Sequence, residues 1–262
     1  MRNLFNRTSF VASALALLAS ELVMAQQKPY FSGEVKTRDA FTYGKFRTRM
    51  QGSGQRGTVA AFFTYWAGDD QMDWSFDQQQ AINMQVVPSM NESGSKLETS
   101  LAFGSDYDTY AVPGYNPGTD WHDYELTWTP DFIAWSIDGS EVRRETSSAY
   151  NVRSMNREQL LHLHVWTPTF ASWGAGLDPS QMPFYTRFAY VEAYDYDEAS
   201  GNFSLRFRDD FDFLDRNIWR MTDNFTFPDN DSTFMANHAY VEDGNLVLKL
   251  DSTLSPTPQP QP

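Results

Sequence analysis

Apolar and polar residues alternate with a period of two along most of this 262-residue chain. Successive side chains of a β-strand point to opposite sides, so this alternation predicts strands with one buried face. The predicted strands are 31–37, 43–50, 60–66, 72–76, 82–87, 121–130, 132–137, 140–145, 161–166, 188–196 and 245–250. Only residues 151–159 indicate a helix, and it is short. Many strands without long helices predict an all-β sandwich.

The clearest turn signal is Asp138-Gly139, which separates two alternating runs. Glycine tolerates the positive φ of a tight turn, so this pair predicts a β-hairpin. Residues 88–120 are rich in Ser, Gly, Asp and Tyr, and they predict one or two strands joined by long loops.

Residues 68–77 have the sharpest division between an apolar and a polar face. Read as a strand, they place Met72, Trp74 and Phe76 on one side and Asp69, Gln71, Asp73 and Ser75 on the other. An aromatic strand, 60–66, precedes this stretch. Residues 82–87 follow it, with polar side chains at every second position. The polar face of such a strand, if it lines a cleft, is a place where a sheet protein can carry chemistry.

The composition narrows the class of partner. Aromatic residues make up 16% of the chain, which suits either a large aromatic core or a sugar-binding groove. The net charge of −14 disfavours nucleic acid and anionic membranes, and it suits a neutral polysaccharide better than a sulfated one. Solubility in a salty medium explains the same charge equally well. Because the chain has no cysteine, disulfides and thiolate metal sites are excluded.

The first 25 residues have the features of a secretory signal peptide. Arg2 and Arg7 supply the positive charge, and the apolar run at 10–18 is too short to span a bilayer. Cleavage is expected near Ala25, so we expect a secreted, soluble, monomeric protein. Residues 252–262 are a Pro-rich tail that should be extended and solvated.

The segment from His122 to Gly139 reads H-x-Y-x-x-x-W-x-P-x-x-I-x-W-x-x-D-G. It closely resembles a segment of glycoside hydrolase family 16, which includes the lichenases and laminarinases. Residues 71–76 resemble a degenerate copy of that family's active strand, whose signature is Glu-x-Asp-x-Glu. The resemblance implies a concanavalin A-like jelly-roll β-sandwich with a groove on its concave face.

The order of the segments is unusual for that family. Residues 208–219 and 245–250 resemble the usual beginning of a family 16 domain, but here they follow its end. This order resembles that of the circularly permuted lichenase. It implies one domain at 26–251, in which 203–251 carries the permuted N-terminal strands. A separate domain of about 50 residues without cysteine could scarcely bury a core.

The family's two catalytic carboxylates are missing in the register set by the apolar face. Gln71 stands at the nucleophile, Asp73 at the central Asp and Ser75 at the acid/base. Retaining hydrolysis needs two carboxyl groups roughly 5–5.5 Å apart. A Gln amide cannot form the glycosyl ester, and a Ser hydroxyl is too weak an acid. A register slipped by two residues uses Asp69 and Asp73, but it places Asp70 toward the core.

The resemblance also implies a set of sugar-binding residues, because aromatic rings pack against the apolar faces of sugars. That set is Phe63, Tyr65, Asn83, Gln85, His164, Trp166, Trp173 and Phe225. A core role for Trp166 remains the alternative. His162 and His164 share one strand face, which leaves open a polar cleft role, a structural role or a metal site.

We expect no cofactor and no catalytic metal; a structural Ca²⁺ is implied by the resemblance alone. Asp209, Asp210 and Asp212 form an acidic run, but no Glu completes an EF-hand. Three functions follow as hypotheses. The first is a secreted pseudo-glycosidase (pseudoenzyme) that binds a β-linked polysaccharide of the β-glucan type. The second is an active retaining endo-β-1,3-1,4-glucanase, and the third is a structural or cell-surface sandwich protein.

Overall fold

The computed structural model describes residues 28–66, 68, 80–88, 95–103, 106–112, 117, 119–146, 148, 152–170, 172 and 176–253. The strands in this part of the chain are β1 Tyr30–Ser32, β2 Glu34–Thr37, β3 Gly44–Gln51, β4 Val59–Trp66, β5 Gln80–Pro88, β6 Ser95–Phe103, β7 Asp106–Ala111, β8 Trp121–Trp128, β9 Phe132–Ile137, β10 Ser140–Thr146, β11 Gln159–Trp166, β12 Phe184–Asp197, β13 Asn202–Asp209, β14 Trp219–Met221, β15 Ser232–Phe234, β16 Ala239–Glu242 and β17 Asn245–Leu250. Short 3-10 helices lie at Val152–Ser154, Pro179–Gln181 and Ala236–His238.

The strands form two antiparallel sheets and a small parallel pair. One sheet has the order β14-β2-β11-β4-β5-β6-β7, and the other has the order β10-β9-β8-β3-β12-β17-β16, with β13 added to β12. β1 pairs with β15 in parallel. The all-β jelly-roll sandwich predicted from the sequence is therefore confirmed.

The core lies between the two sheets and follows the alternation of the strands. Phe62, Met84 and Leu163 point inward from the seven-stranded sheet and meet Phe46, Trp128 and Trp135 from the other sheet. The indole N–H of Trp135 donates to the carbonyl of Asn83 in the opposite sheet at 2.9 Å. A buried tryptophan needs such an acceptor, and here the hydrogen bond also joins the two sheets.

Strands from the last fifty residues complete both sheets. β17 pairs with β12 from Phe184 to Phe188, and β14 pairs with β2 from Val35 to Thr37. The predicted pairing of 245–250 with the earlier part of the chain is confirmed.

Two local predictions need correction. The helix expected at 151–159 is wrong: only Val152–Ser154 forms a 3-10 turn, and β11 already begins at Gln159, which exchanges two backbone hydrogen bonds with Phe41. The strand expected at 31–37 is divided at Gly33, because the residues before it pair with β15 and those after it pair with β11 and β14. Glycine is required at the division, since a Cβ there would lie 2.2 Å from the carbonyl oxygen of His238.

The predicted hairpin at Asp138-Gly139 is confirmed, with φ of 49° and 77°. The helices in the described part of the chain are single 3-10 turns, and none of them has the length or hydropathy of a transmembrane span.

Candidate functional site

The candidate site lies on the distal face, which we define as the face of the seven-stranded sheet turned away from the other sheet. Strand pairing arranges its side chains in rows across the sheet. The acidic row runs Glu34, His164, Ala61, Gln85, Glu98, and the amide row runs Lys36, His162, Phe63, Asn83, Ser100. Both rows cross β2, β11, β4, β5 and β6. Six of the eight predicted sugar-binding residues therefore lie on this face, in these two rows or in the rows beside them: Phe63, Tyr65, Asn83, Gln85, His164 and Trp166.

A buried acid and imidazole form one end of the face. Glu34 is fully buried, and its Oε1 lies 2.7 Å from Nδ1 of the buried His162. Burial alone would raise the pKa of Glu34, but the bond to His162 and the nearby His164 lower that pKa to about 2. Burial lowers the pKa of His162. At neutral pH a neutral imidazole therefore donates its Nδ1–H to a carboxylate.

His164 stands beside this pair without completing it. Its Nδ1 is 3.9 Å from Oε2 of Glu34, which is too long for a hydrogen bond. Neither atom has a hydrogen-bond partner among the described residues. The His162 and His164 rings both pack on Phe63, with centroids 4.8 and 4.6 Å away. Packing against Phe63 therefore holds the imidazole of His164 in place.

The segment before and within β15 forms a wall beside His164. Phe234 stacks on His164 at 5.5 Å and 15°, and Phe225 stacks on Phe234 at 6.4 Å and 12°. Phe225 is half-buried, so one part of its ring reaches solvent. Phe225 thus lies beside the candidate site, and its role in sugar binding stays a prediction.

Three of the predicted sugar-binding residues are buried. Trp166 is 6% exposed, and its ring packs on Phe227 at 5.1 Å and on Phe170 at 6.3 Å. Phe63 and Tyr65 belong to the same second apolar cluster. This burial favours the core role that the sequence left open for Trp166. A sugar could stack on its ring only after Phe170 or Phe227 moved aside.

The middle of the face is polar. Asn83 is half-buried, and its side-chain N–H donates to Oγ of Ser100 at 3.0 Å. Gln85 lies directly opposite Glu98. One oxygen of the buried Glu98 pairs with Lys96, and the other, Oε2, has no hydrogen-bond partner among the described residues. Amides can both donate hydrogen bonds to sugar hydroxyls and accept hydrogen bonds from them, and a carboxylate can accept them.

The two carboxylates of the acidic row are far apart. Glu34 and Glu98 are four strand spacings from each other in the row. At about 4.8 Å per spacing, the separation is roughly 19 Å. Glycosidases need roughly 5–5.5 Å for retention or 6.5–9.5 Å for inversion. Glu34 and Glu98 therefore cannot act as a hydrolytic pair.

Sequence reasoning missed Glu34 and Glu98 as members of this face. Glu34 lies in a predicted strand and Glu98 in a segment where no strand was located, and no local motif surrounds either residue. Each acquires its neighbours only through pairing in the sheet. The alternation at 34–37 was the available signal, since it places Glu34 and Lys36 on one side.

The predicted motif itself lies outside the described residues. This holds for Gln71, Asp73, Ser75 and the alternative Asp69, and also for Trp173. In the part of the chain that is described, no three His, Asp or Glu side chains are arranged to hold a metal ion.

Comparison with known proteins identifies the family to which the chain belongs. The sequence profile of "Glycosyl hydrolases family 16" matches residues 6–175. A β-glucanase of Fibrobacter succinogenes (strain ATCC 19169 / S85) is 29% identical over a 253-residue alignment that covers 92% of this chain and 70% of that protein.

Two solved structures share the fold. The Bacillus licheniformis β-glucanase superposes with a TM-score of 0.50 at 18% identity, covering 63% of this chain and 71% of that chain. A Crh5 transglycosylase in complex with NAG superposes with a TM-score of 0.50 at 22% identity, covering 66% and 77%.

Proposed function

Because the chain belongs to glycosyl hydrolase family 16, we propose that it is a secreted pseudo-glycosidase, which binds a β-linked polysaccharide of the β-glucan type without cleaving it. The observation that carries the proposal is the chemistry of the distal face. That face carries the half-buried amide of Asn83 and the half-buried ring of Phe225, while Glu34 and Glu98 are too far apart to act together.

The position of β5 supports the loss of the catalytic pair in a second way. β5 pairs directly with the aromatic strand β4 and with β6, so it lies in the middle of the face. Its distal positions are Ala81, Asn83 and Gln85, with the same spacing as the family's Glu-x-Asp-x-Glu. Whether the motif is placed at 71–75 or at 81–85, neither outer position carries a carboxylate.

The competing hypothesis is an active retaining β-glucanase that uses Asp69 and Asp73. Reducing-sugar release from lichenan and laminarin separates the two. We expect no release by the wild type. Release that is abolished by Asp69→Asn would overturn the pseudo-glycosidase. Asp73→Asn would not discriminate, since the central Asp of the family pattern also influences its neighbours.

Binding is tested by affinity electrophoresis in gels that contain the same polymers. Asn83→Ala removes an accessible amide from the middle of the face, and we expect weaker retardation in lichenan or laminarin. The matched control is Asn202→Ala, an exposed amide at the start of β13. Retardation of the wild type by none of the polymers would reject sugar binding and would favour a structural role.

We further infer that the chain is circularly permuted relative to the common family order, with one domain at 26–251. The pairing of β14 with β2 and of β17 with β12 supports this inference. Export by a signal peptide at 1–25 belongs to the same proposal.

A further inference from the structure

The two sheets leave a cavity of about 420 Å³ at one edge of the sandwich. It lies between β7, the last strand of one sheet, and β10, the last strand of the other. Its lining consists of Asp108, Thr109, Tyr110, Val142, Arg143, Arg144 and Glu145. We propose that this edge cavity is a second carbohydrate-binding site, separate from the distal face, for a neutral sugar chain.

Arg143 gives the edge cavity a fixed shape. Its guanidinium is buried and lies 4.7 Å from the ring of Trp135 in the core. From β10 it reaches the other sheet, where it donates to the carbonyl and hydroxyl oxygens of Thr99 at 2.9 and 3.2 Å and to the carboxylate of Asp108. Its Nε donates to Glu145 at 3.0 Å. The cavity floor is therefore preformed, and a ligand would not have to organise it.

The charge of the lining selects for a neutral ligand. Two arginines and two carboxylates line the cavity, so their formal charges cancel. Arg143 is engaged as described, and Arg144 binds Glu141 through two hydrogen bonds of 2.9 and 2.6 Å. Both arginines are therefore already paired with carboxylates, which leaves little positive charge to bind a phosphate or sulfate. Arg143 contacts one oxygen each of Asp108 and Glu145, and carboxylates have acceptor capacity beyond that, which suits hydroxyl donors.

Tyr110 supplies the flat surface that sugar recognition requires. It is 41% exposed, although it lies in a strand, and its ring covers the Arg143 guanidinium at 5.7 Å. That contact fixes the ring at the rim of the cavity. A fixed aromatic ring beside carboxylate acceptors can hold the apolar face and the hydroxyl edge of one sugar unit together.

The test is a titration of the ¹⁵N-labelled full chain with cellotetraose and laminaritetraose, followed by amide chemical shifts. We expect saturable shifts at 108–110 and 142–145, in addition to those at 83–85 that the proposed function implies. Tyr110→Ala should weaken binding at the edge cavity about tenfold while leaving the shifts at 83–85 unchanged. Tyr110→Phe, which keeps the ring, should bind as the wild type does.

Phe213→Ala is the matched control, because Phe213 is an exposed aromatic residue outside the lining. If Tyr110→Ala does not fold, Tyr110→Leu retains apolar volume without a flat ring and takes its place. Sugar-induced shifts confined to 83–85 would overturn the edge site and leave the proposed function standing. Shifts nowhere would overturn both. Shifts at β7 that depend on protein concentration and not on sugar would assign this edge to strand pairing between copies, and they would also overturn the proposal.

Discussion

His162→Ala should destabilise the protein more than Glu34→Ala, although both remove the same hydrogen bond. Without His162, a fully buried carboxylate keeps no hydrogen bond on either oxygen. Removing one partner of a buried ionised group costs about 3–5 kcal/mol. Without Glu34, a neutral imidazole keeps one unsatisfied N–H, which costs about 1–3 kcal/mol. At pH 7 we therefore expect a difference of about 2 kcal/mol between the two variants.

The two losses also differ in their dependence on pH. The pKa of Glu34 is about 2 in the fold and 4.5 as its ordinary value, so its stabilisation is present above pH 4.5 and is lost as the pH falls toward 2. A shift of this size corresponds to on the order of 3 kcal/mol. The lowered pKa of His162 acts in the same direction, because the unfolded imidazole takes up a proton first as the pH falls below 6.5.

In His162→Ala the effect of pH on stability at this site reverses, so that a fall in pH is stabilising. Burial then raises the pKa of Glu34 with only His164 opposing it, so protonation relieves the uncompensated charge as the pH falls. The penalty of this variant relative to the wild type should therefore shrink between pH 7 and pH 4.5.

Urea unfolding followed by tryptophan fluorescence at both pH values measures these differences. His164→Ala is the control, because it leaves the bond between His162 and Glu34 in place. Equal costs for His162→Ala and Glu34→Ala at pH 7, or a His162→Ala penalty that does not change with pH, would refute the reasoning.

Two further predictions concern the sheets. Truncation after residue 200 removes β13–β17 and exposes the edges of β2 and β12; we expect an insoluble or non-cooperative product, and a sharp thermal melt of the fragment would contradict the shared core. Glu192 accepts hydrogen bonds from Tyr194, Arg47 and Arg208 across β3, β12 and β13; burial opposes its ionisation, but these bonds lower its pKa. Glu192→Gln should therefore lower the free energy of unfolding by about 1–2 kcal/mol at pH 7, and by less as the pH falls below 4.5. Thermal melts at pH 7 and pH 3.5 measure this difference. An equal loss of stability at both pH values would contradict the prediction.

The pattern of the sequence predicts those features of the fold that depend only on residues close together in the chain. Alternation located β4, β5 and β11, and the turn at Asp138-Gly139 needed only the backbone freedom of glycine. The helix at 151–159 failed because Gln159 is committed to backbone pairing with Phe41, a contact that no local pattern records. The order of strands in each sheet is information of the same non-local kind.

The candidate site depends even more strongly on contacts between residues that are far apart in the sequence. Glu34 and His162 are 128 residues apart, and the acidic row unites five strands that no single stretch contains. A period-two pattern with polar residues occurs at 71–75 and again at 81–85. Only the pairing of β5 with both β4 and β6 shows that the second of these lies in the middle of the distal face.

The late segment of the chain joins the fold to the site. β14 extends the sheet beside Glu34, and Phe234 of β15 stacks on His164, which also packs against Phe63. The same stretch therefore completes the sheet and forms a wall of the candidate site. A substitution such as Phe234→Ala would change sugar binding and stability together, so weaker binding by this variant would not identify a sugar contact. The half-buried Phe225 stands one ring farther out, where a change in binding without a change in the melting temperature can be attributed to the ligand.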